Sequence, residues 1–208
     1  PDQFLPVAQE FGLSSRVDLW VLEHTLRFLA AHRERLPGQR FAINLAPSTV
    51  CRVQFPLEVS RVLAKYAIEP WQLIFEVTEC SNFCNAEQAL HILSQLQKMG
   101  VRIAIDDFGT GHSALIYLEH FTMDYLKIDR GFVNAIGTET VTSPVLDAVL
   151  TLARRLNMST VAEGVETPEQ AAWLREHGVN FLQGYWISRP MPLAQFREWR
   201  PDISPEGD

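Results

Sequence analysis

Apolar residues recur along this chain in two alternating rhythms. After Ser15-x-x-Asp18, which reads as a helix capping signal, Leu19, Leu22, Leu26 and Leu29 fall three or four positions apart and predict an amphipathic helix running toward Pro37-Gly38. The run RFAINL at 40–45 predicts a strand, and a Pro56-led stretch to Tyr66 a helix. WQLIFEVT at 71–78 predicts a second strand, and residues 85–99, closed by Gly100, another helix. VRIAID at 101–106, DYLKID at 124–129, STVAEG at 159–164 and FLQGYW at 181–186 predict further strands. Helical segments separate them: SALIYLEH at 113–120, PVLDAVLTLARRL at 144–156, and TPEQAAWLREHG at 167–178, which opens at Thr167-Pro168 and ends at Gly178. Residues 192–199 predict a final short helix, and the opening PDQFLPVAQEFG reads as loop.

Strands joined by helix-length crossovers run parallel, which leaves an open doubly wound sheet or a closed (β/α) barrel. The polar residues at the strand ends separate the two. In chain order they are Asn44, Glu76, Asp106 with Asp107, Lys127 with Asp129, Glu163, and Gln183. An open sheet concentrates functional residues at one switch point, whereas a barrel gathers them from nearly every strand end onto one face. All six predicted strands contribute, so the pattern favours an α/β fold of the modified TIM (β/α) barrel type. Such a barrel needs about eight strands. The first two are expected to lie before Pro1, making 1–208 one domain that lacks its N-terminal strands.

Composition narrows the function. A chain of 208 residues that is 47% hydrophobic and 21% charged is ordinary for a globular domain. It has no apolar run long enough to span a membrane and no secretory pattern. The expected location is the cytoplasm, free or as the cytoplasmic part of a membrane-anchored protein. A net charge of −7 argues against long nucleic acid bound on a basic face. The three cysteines, Cys51, Cys80 and Cys84, point to a reducing compartment, and the last two read as free thiols before metal ligands. Packing or surface roles fit all six histidines except His112, inside the glycine loop. Most tryptophans read as core, but Tyr185 and Trp186 follow the Gln183 strand end and are candidates for base stacking.

The chemistry concentrates in IDDFGTGHSAL at 105–115. Alone, Asp106 and Asp107 fit a turn before Gly109 and Gly111, which supply unusual backbone angles. Glu76, Asp129, Glu163 and Glu166 at or near other strand ends change that reading. So many carboxylates on one face require shifted pKa values or bound cations. Oxygen donors that include an Asn suit Mg²⁺ or Mn²⁺ over Zn²⁺, and a carboxylate able to bridge two ions is what two-metal phosphoryl chemistry requires. Lys127 fits a core-edge lysine paired with Asp129 as well as a group that orients an attacking water or stabilises developing phosphorane charge. Two imitations fall away. Asp107-Phe108-Gly109 spells the kinase DFG without its companion motifs, and Gly109-Thr110-Gly111-x-x-Ala114 spells a dinucleotide loop, but two carboxylates would repel the pyrophosphate.

Together INLAPS, FEVTE, IDDFGTGHSAL, DYLKIDRGFV, VAEGVET and LQGYWISRPMP resemble, in order and over essentially the whole chain, the motifs of the EAL family of cyclic di-GMP phosphodiesterases. The resemblance implies a modified TIM barrel that hydrolyses cyclic di-GMP to linear pGpG with two Mg²⁺ or Mn²⁺ ions. It implies that Asn44, Glu76 and Asp106 bind one metal and that Asp106 and Asp107 help hold the second. Lys127 and Glu163 would position and activate the nucleophilic water, with Asp129, Glu166 and Gln183 supporting or orienting substrate. Glu79 resembles the family's anchor for the DDFGTG loop, a loop that couples metal binding to dimerisation, so a homodimer is expected.

The family's Glu-Ala-Leu segment, with a metal-binding glutamate, would lie before Pro1, where a sensory or membrane region also has room. The 208-residue stretch alone is therefore expected to be weakly active or inactive. His112 and Ala114 replace the family's Tyr and Ser, and the Ala removes a hydroxyl that caps the next helix. Two competing readings are a non-catalytic cyclic di-GMP receptor or protein-interaction module, and a metal-free glycosidase built on two acids.

Overall fold

Parallel strand–helix succession organises the protein, as seen in a computed structural model that describes residues 3–78, 86–108, 121, 123–137, 144–196 and 198–199. The chain forms two compact units, residues 1–125 and 126–208.

In the first unit α1 (Leu5–Glu10) and α2 (Ser14–Ala31) precede β1 (Phe41–Asn44), and α3 (Pro47–Val50) and α4 (Phe55–Tyr66) follow it. A 3-10 turn (Pro70–Gln72) leads into β2 (Leu73–Thr78), and α5 (Ala86–Lys98) into β3 (Arg102–Phe108). β1 pairs with β2 and β2 with β3, both parallel, with Asn44 opposite Glu76 and Thr78 opposite Asp106. Alternation in β2 puts Leu73, Phe75 and Val77 fully inside while Ile74, Glu76 and Thr78 take the other face. Ile43, Ile103 and Ile105 are buried likewise. Helix stripes spaced three or four apart join that layer: Leu22, Leu26 and Leu29 of α2, Val59 and Leu63 of α4, and Ile92, Leu93 and Leu96 of α5. Phe55 packs on Phe75 with ring centroids 5.5 Å apart. Each such fully buried side chain contributes about 1.5–3 kcal/mol from its removal from water.

The second unit carries β4 (Tyr125–Ile128), whose first residue belongs to the first, then α6 (Arg130–Asn134), α7 (Pro144–Arg155), β5 (Ser159–Ala162), α8 (Pro168–Glu176), β6 (Phe181–Leu182) and α9 (Leu193–Phe196). The backbone of Glu163 bonds to Ile128 and that of Gln183 to Ala162, so β5 lies between β4 and β6. Leu126, Ile128, Leu146, Leu150, Ala153, Ala162, Ala171 and Leu174 form the core of this unit. Thr167 caps α8 as its sequence predicts: its hydroxyl accepts the Gln170 N–H at 3.2 Å, and the Gln170 side-chain Oε1 accepts the Thr167 N–H at 3.2 Å.

Four local expectations need correction. PDQFLPVAQEFG is not all loop, because Pro6 in the first turn favours the helix α1. Ser15-x-x-Asp18 does not cap α2: the helix begins at Ser14 and Asp18 turns inward. The strand predicted from FLQGYW stops at Leu182, since the chain from Gly184 onward folds against Val165. The last helix is confined to Leu193–Phe196. Residues 113–120, predicted helical, lie outside the described residues, as do Cys80, Cys84 and His112.

Candidate active site

Parallel register sets the acidic face of the first unit. Asn44 ends β1 opposite Glu76; Glu76 lies opposite Ala104, two residues before Asp106. Residues in register, or two apart along a strand, share a face, so Asn44, Glu76 and Asp106 emerge on the same side of three adjacent strands, Asn44 and Glu76 as direct neighbours about 5 Å apart and Asp106 a diagonal step further along β3. Their neighbours Ile43, Phe75, Val77 and Ile105 are buried on the opposite side, which fixes that direction.

Asp107 breaks the alternation. Its φ of 54° is left-handed, a conformation that costs a non-glycine residue roughly 1 kcal/mol and that Asp tolerates better than most. Its N–H donates to Asp106 Oδ1 at 3.0 Å, and the two carboxylates bring oxygens within 4.8 Å of each other. An unusual backbone angle, expected at Gly109 and Gly111, which lie outside the described residues, falls on the aspartate itself.

In the second unit, Lys127 is only 4% exposed because all of β4 is covered. Its Nζ donates to Glu163 Oε1 at 2.7 Å. Burying an ammonium requires such a partner. The Glu163 N–H donates to the Ile128 carbonyl at 3.1 Å, which carries the ladder one residue past β5 and sets Glu163 beside the end of β4. Asp129 caps α6, accepting the Gly131 N–H at 2.8 Å. Glu166 is exposed, and its N–H donates to Gln170 Oε1 at 2.8 Å. Gln183 directs an exposed side chain outward while its backbone bonds to Ala162 and Val165. Gly184 packs so tightly that a Cβ there would stand 2.1 Å from the Val165 carbonyl oxygen. Tyr185 and Trp186, the candidate stacking rings, carry the guanidinium groups of Arg189 and Arg175 at 4.4 and 5.4 Å from their centroids.

His24, His32 and His177 each stack on the aromatic residue four positions earlier and bond to its carbonyl, packing roles as expected. Glu79 lies outside the described residues. Asp18, read from the sequence only as part of a capping signal, and Thr49, which the sequence reading did not single out, meet behind the end of β1. The available signal was a charged residue on an apolar helix stripe: Asp18 stands four positions before Leu22 and eight before Leu26.

Six parallel strands in chain order, joined by helices and carrying polar residues at their C-terminal ends, are of the partial (β/α)-barrel class. Residues 1–190 match the EAL domain, and the chain belongs to that family. It is 54% identical over 96% of its length to the probable cyclic di-GMP phosphodiesterase PdeN of Escherichia coli K12, and 49% identical over 93% to the cyclic di-GMP phosphodiesterase PdeF of the same organism. The chain spans 38% and 26% of these two proteins. Among solved structures it matches the PaMucR phosphodiesterase in complex with c-di-GMP, with a TM-score of 0.86 and 40% identity, covering 94% of this chain and 80% of that one. The fold class is accordingly α/β of the partial TIM-barrel type, with six parallel strands among the described residues. No helix of the described residues is long and apolar enough to cross a membrane.

Proposed function

We propose that the protein hydrolyses one phosphodiester of cyclic di-GMP, giving linear pGpG, in a reaction that depends on two Mg²⁺ or Mn²⁺ ions. The observation that carries this reading is the shared face of Asn44, Glu76 and Asp106 at the ends of three adjacent parallel strands. Its donors are an amide and carboxylates, the hard oxygen set that fits these cations. The family membership and the named activities of PdeN and PdeF support it.

In this reading Asn44, Glu76 and Asp106 hold one cation, and Asp106 with Asp107 holds the other. When bound, the pair supplies Lewis-acid activation of a water and neutralises charge at the phosphodiester. The chain's own groups do the rest. The left-handed turn at Asp107 brings its carboxylate beside that of Asp106. Lys127 orients the Glu163 side chain through its 2.7 Å bond to Oε1, and Glu163 accepts the proton of the attacking water. Asp129, Glu166 and Gln183 orient the substrate or support the site. Glu79 anchors the loop after β3, and the protein works in the cytoplasm as a homodimer.

The test is Asp106→Asn in the full-length protein, with linear dinucleotide measured by chromatography. The variant keeps the shape and loses the charge that both cations share. Turnover should fall by at least about 100-fold, beyond the usual effect of losing an outer-shell partner. A near-normal rate would remove Asp106 from the chemistry. Binding of cyclic di-GMP by an unsubstituted protein that never turns it over would establish a receptor instead.

A further inference from the structure

We infer that Asp18 and Thr49 are positioning residues for Asn44, clamping the backbone that follows β1 and so fixing the direction in which the Asn44 amide leaves the sheet. The inference rests on the reading of Asn44 as a cation ligand. Asn44 is the last residue of its strand, between Ile43 and Leu45, which are 3% and 5% exposed. On one flank the strand ladder continues past it, where the Leu45 N–H donates to the Glu76 carbonyl at 2.9 Å. The next N–H, that of Ala46, instead donates to Asp18 Oδ2 at 2.9 Å. That carboxylate comes from α2, 28 residues back in the chain.

The surroundings of Asp18 single it out. It occupies the buried stripe of α2 that continues as Leu22 and Leu26, where an apolar residue would pack at no electrostatic cost. A carboxylate there is unfavourable unless its oxygens are hydrogen-bonded. Fully buried Thr49 supplies a second donor, its hydroxyl donating to the same Oδ2, and Ser15 Oγ lies 3.1 Å from that hydroxyl. The buried carboxylate therefore gathers the Ala46 N–H and the Thr49 hydroxyl onto one oxygen, and both donors lie within five residues of Asn44. α3 has no capping side chain of its own, so the clamp also fixes where that helix starts. A ligand at the end of a strand gains affinity from such support, because the backbone that carries it no longer has to be ordered when the cation arrives.

A double-mutant cycle on the full-length protein separates positioning from mere stabilisation. Isothermal titration with Mn²⁺ alone, without substrate, is run on the wild type, Asp18→Ala, Asn44→Ala and the double variant, each checked for folding by circular dichroism. Asn44→Ala should weaken Mn²⁺ binding, and Asp18→Ala should weaken it by about 10-fold, as loss of an outer-shell partner does. In the double variant the Asp18 substitution should add less than about two-fold, since its effect passes through an amide already removed. Equal Asp18 effects in both backgrounds, or none in the wild type while Asn44→Ala weakens binding, would overturn the inference alone. Unchanged Mn²⁺ affinity in Asn44→Ala would overturn the ligand reading and this inference with it. Should Asp18→Ala fail to fold, Thr49→Val replaces it in the same cycle with the same expected pattern, and additive effects there would overturn the inference equally.

Discussion

Replacing Gly184 by Ala tests how the loop beyond β5 is held. Its added Cβ would stand 2.1 Å from the Val165 carbonyl oxygen, 2.3 Å from its nitrogen and 2.7 Å from its carbonyl carbon. Ordinary carbon–oxygen contact is about 3.3 Å, so the Val165 peptide must retreat by roughly 1 Å. That movement pulls apart two bonds of 3.0 Å, from the Val165 N–H to the Gln183 carbonyl and from the Trp186 N–H to the Val165 carbonyl. Losing both is worth about 2 kcal/mol, and relieving the overlap about 1–3 kcal/mol more. The expected destabilisation is about 4 kcal/mol, a large part of the roughly 5–15 kcal/mol that holds a typical domain together. Gly178→Ala provides the control: its φ is +79° and nothing lies within 4 Å of the new Cβ, so only backbone strain of about 1–2 kcal/mol is added. Urea unfolding of both variants, followed by circular dichroism, gives the comparison. A midpoint for Gly184→Ala no lower than that for Gly178→Ala would refute the steric argument.

Thr167→Ala removes the hydroxyl that receives the Gln170 N–H and should destabilise by about 1 kcal/mol in the same assay; no loss would mean the capping box contributes nothing. Burial raises the Asp18 carboxyl above its usual range, outweighing its bonds to Thr49 and Ala46. A carboxyl with a raised folded-state pKa favours the folded protein fully below its unfolded value, near pH 3.9, and loses that contribution as pH rises through the folded value. The stability of the wild type relative to Asp18→Asn should therefore decline as pH rises through that window, and the opposite slope would contradict the burial argument.

Much of the molecule was legible because period and punctuation agreed. β2 follows from the in-out alternation of LIFEVT and β3 from the unbroken apolar run Ile103-Ala104-Ile105 closed by two aspartates, and Thr167-Pro168 with Gln170 placed the start of α8. What escaped depends on residues distant in sequence. Ser15 and Asp18 have the spacing of a local capping pair, yet Asp18 serves Ala46 and Thr49, 28 and 31 positions away. β6 ends early because of the close approach of Gly184 to Val165, which no local pattern announces. At the candidate site, strand ends gave the residue identities. The left-handed turn at Asp107 and the choice of Glu163 as an ion-pair partner for Lys127 are tertiary facts.

The measurement that bears most directly on the account is conversion of cyclic di-GMP by the full-length protein in Mn²⁺ or Mg²⁺, with and without EDTA. The account predicts linear pGpG as the product with the cation, and its disappearance when the chelator is added. Hydrolysis that continues undiminished in EDTA would contradict it.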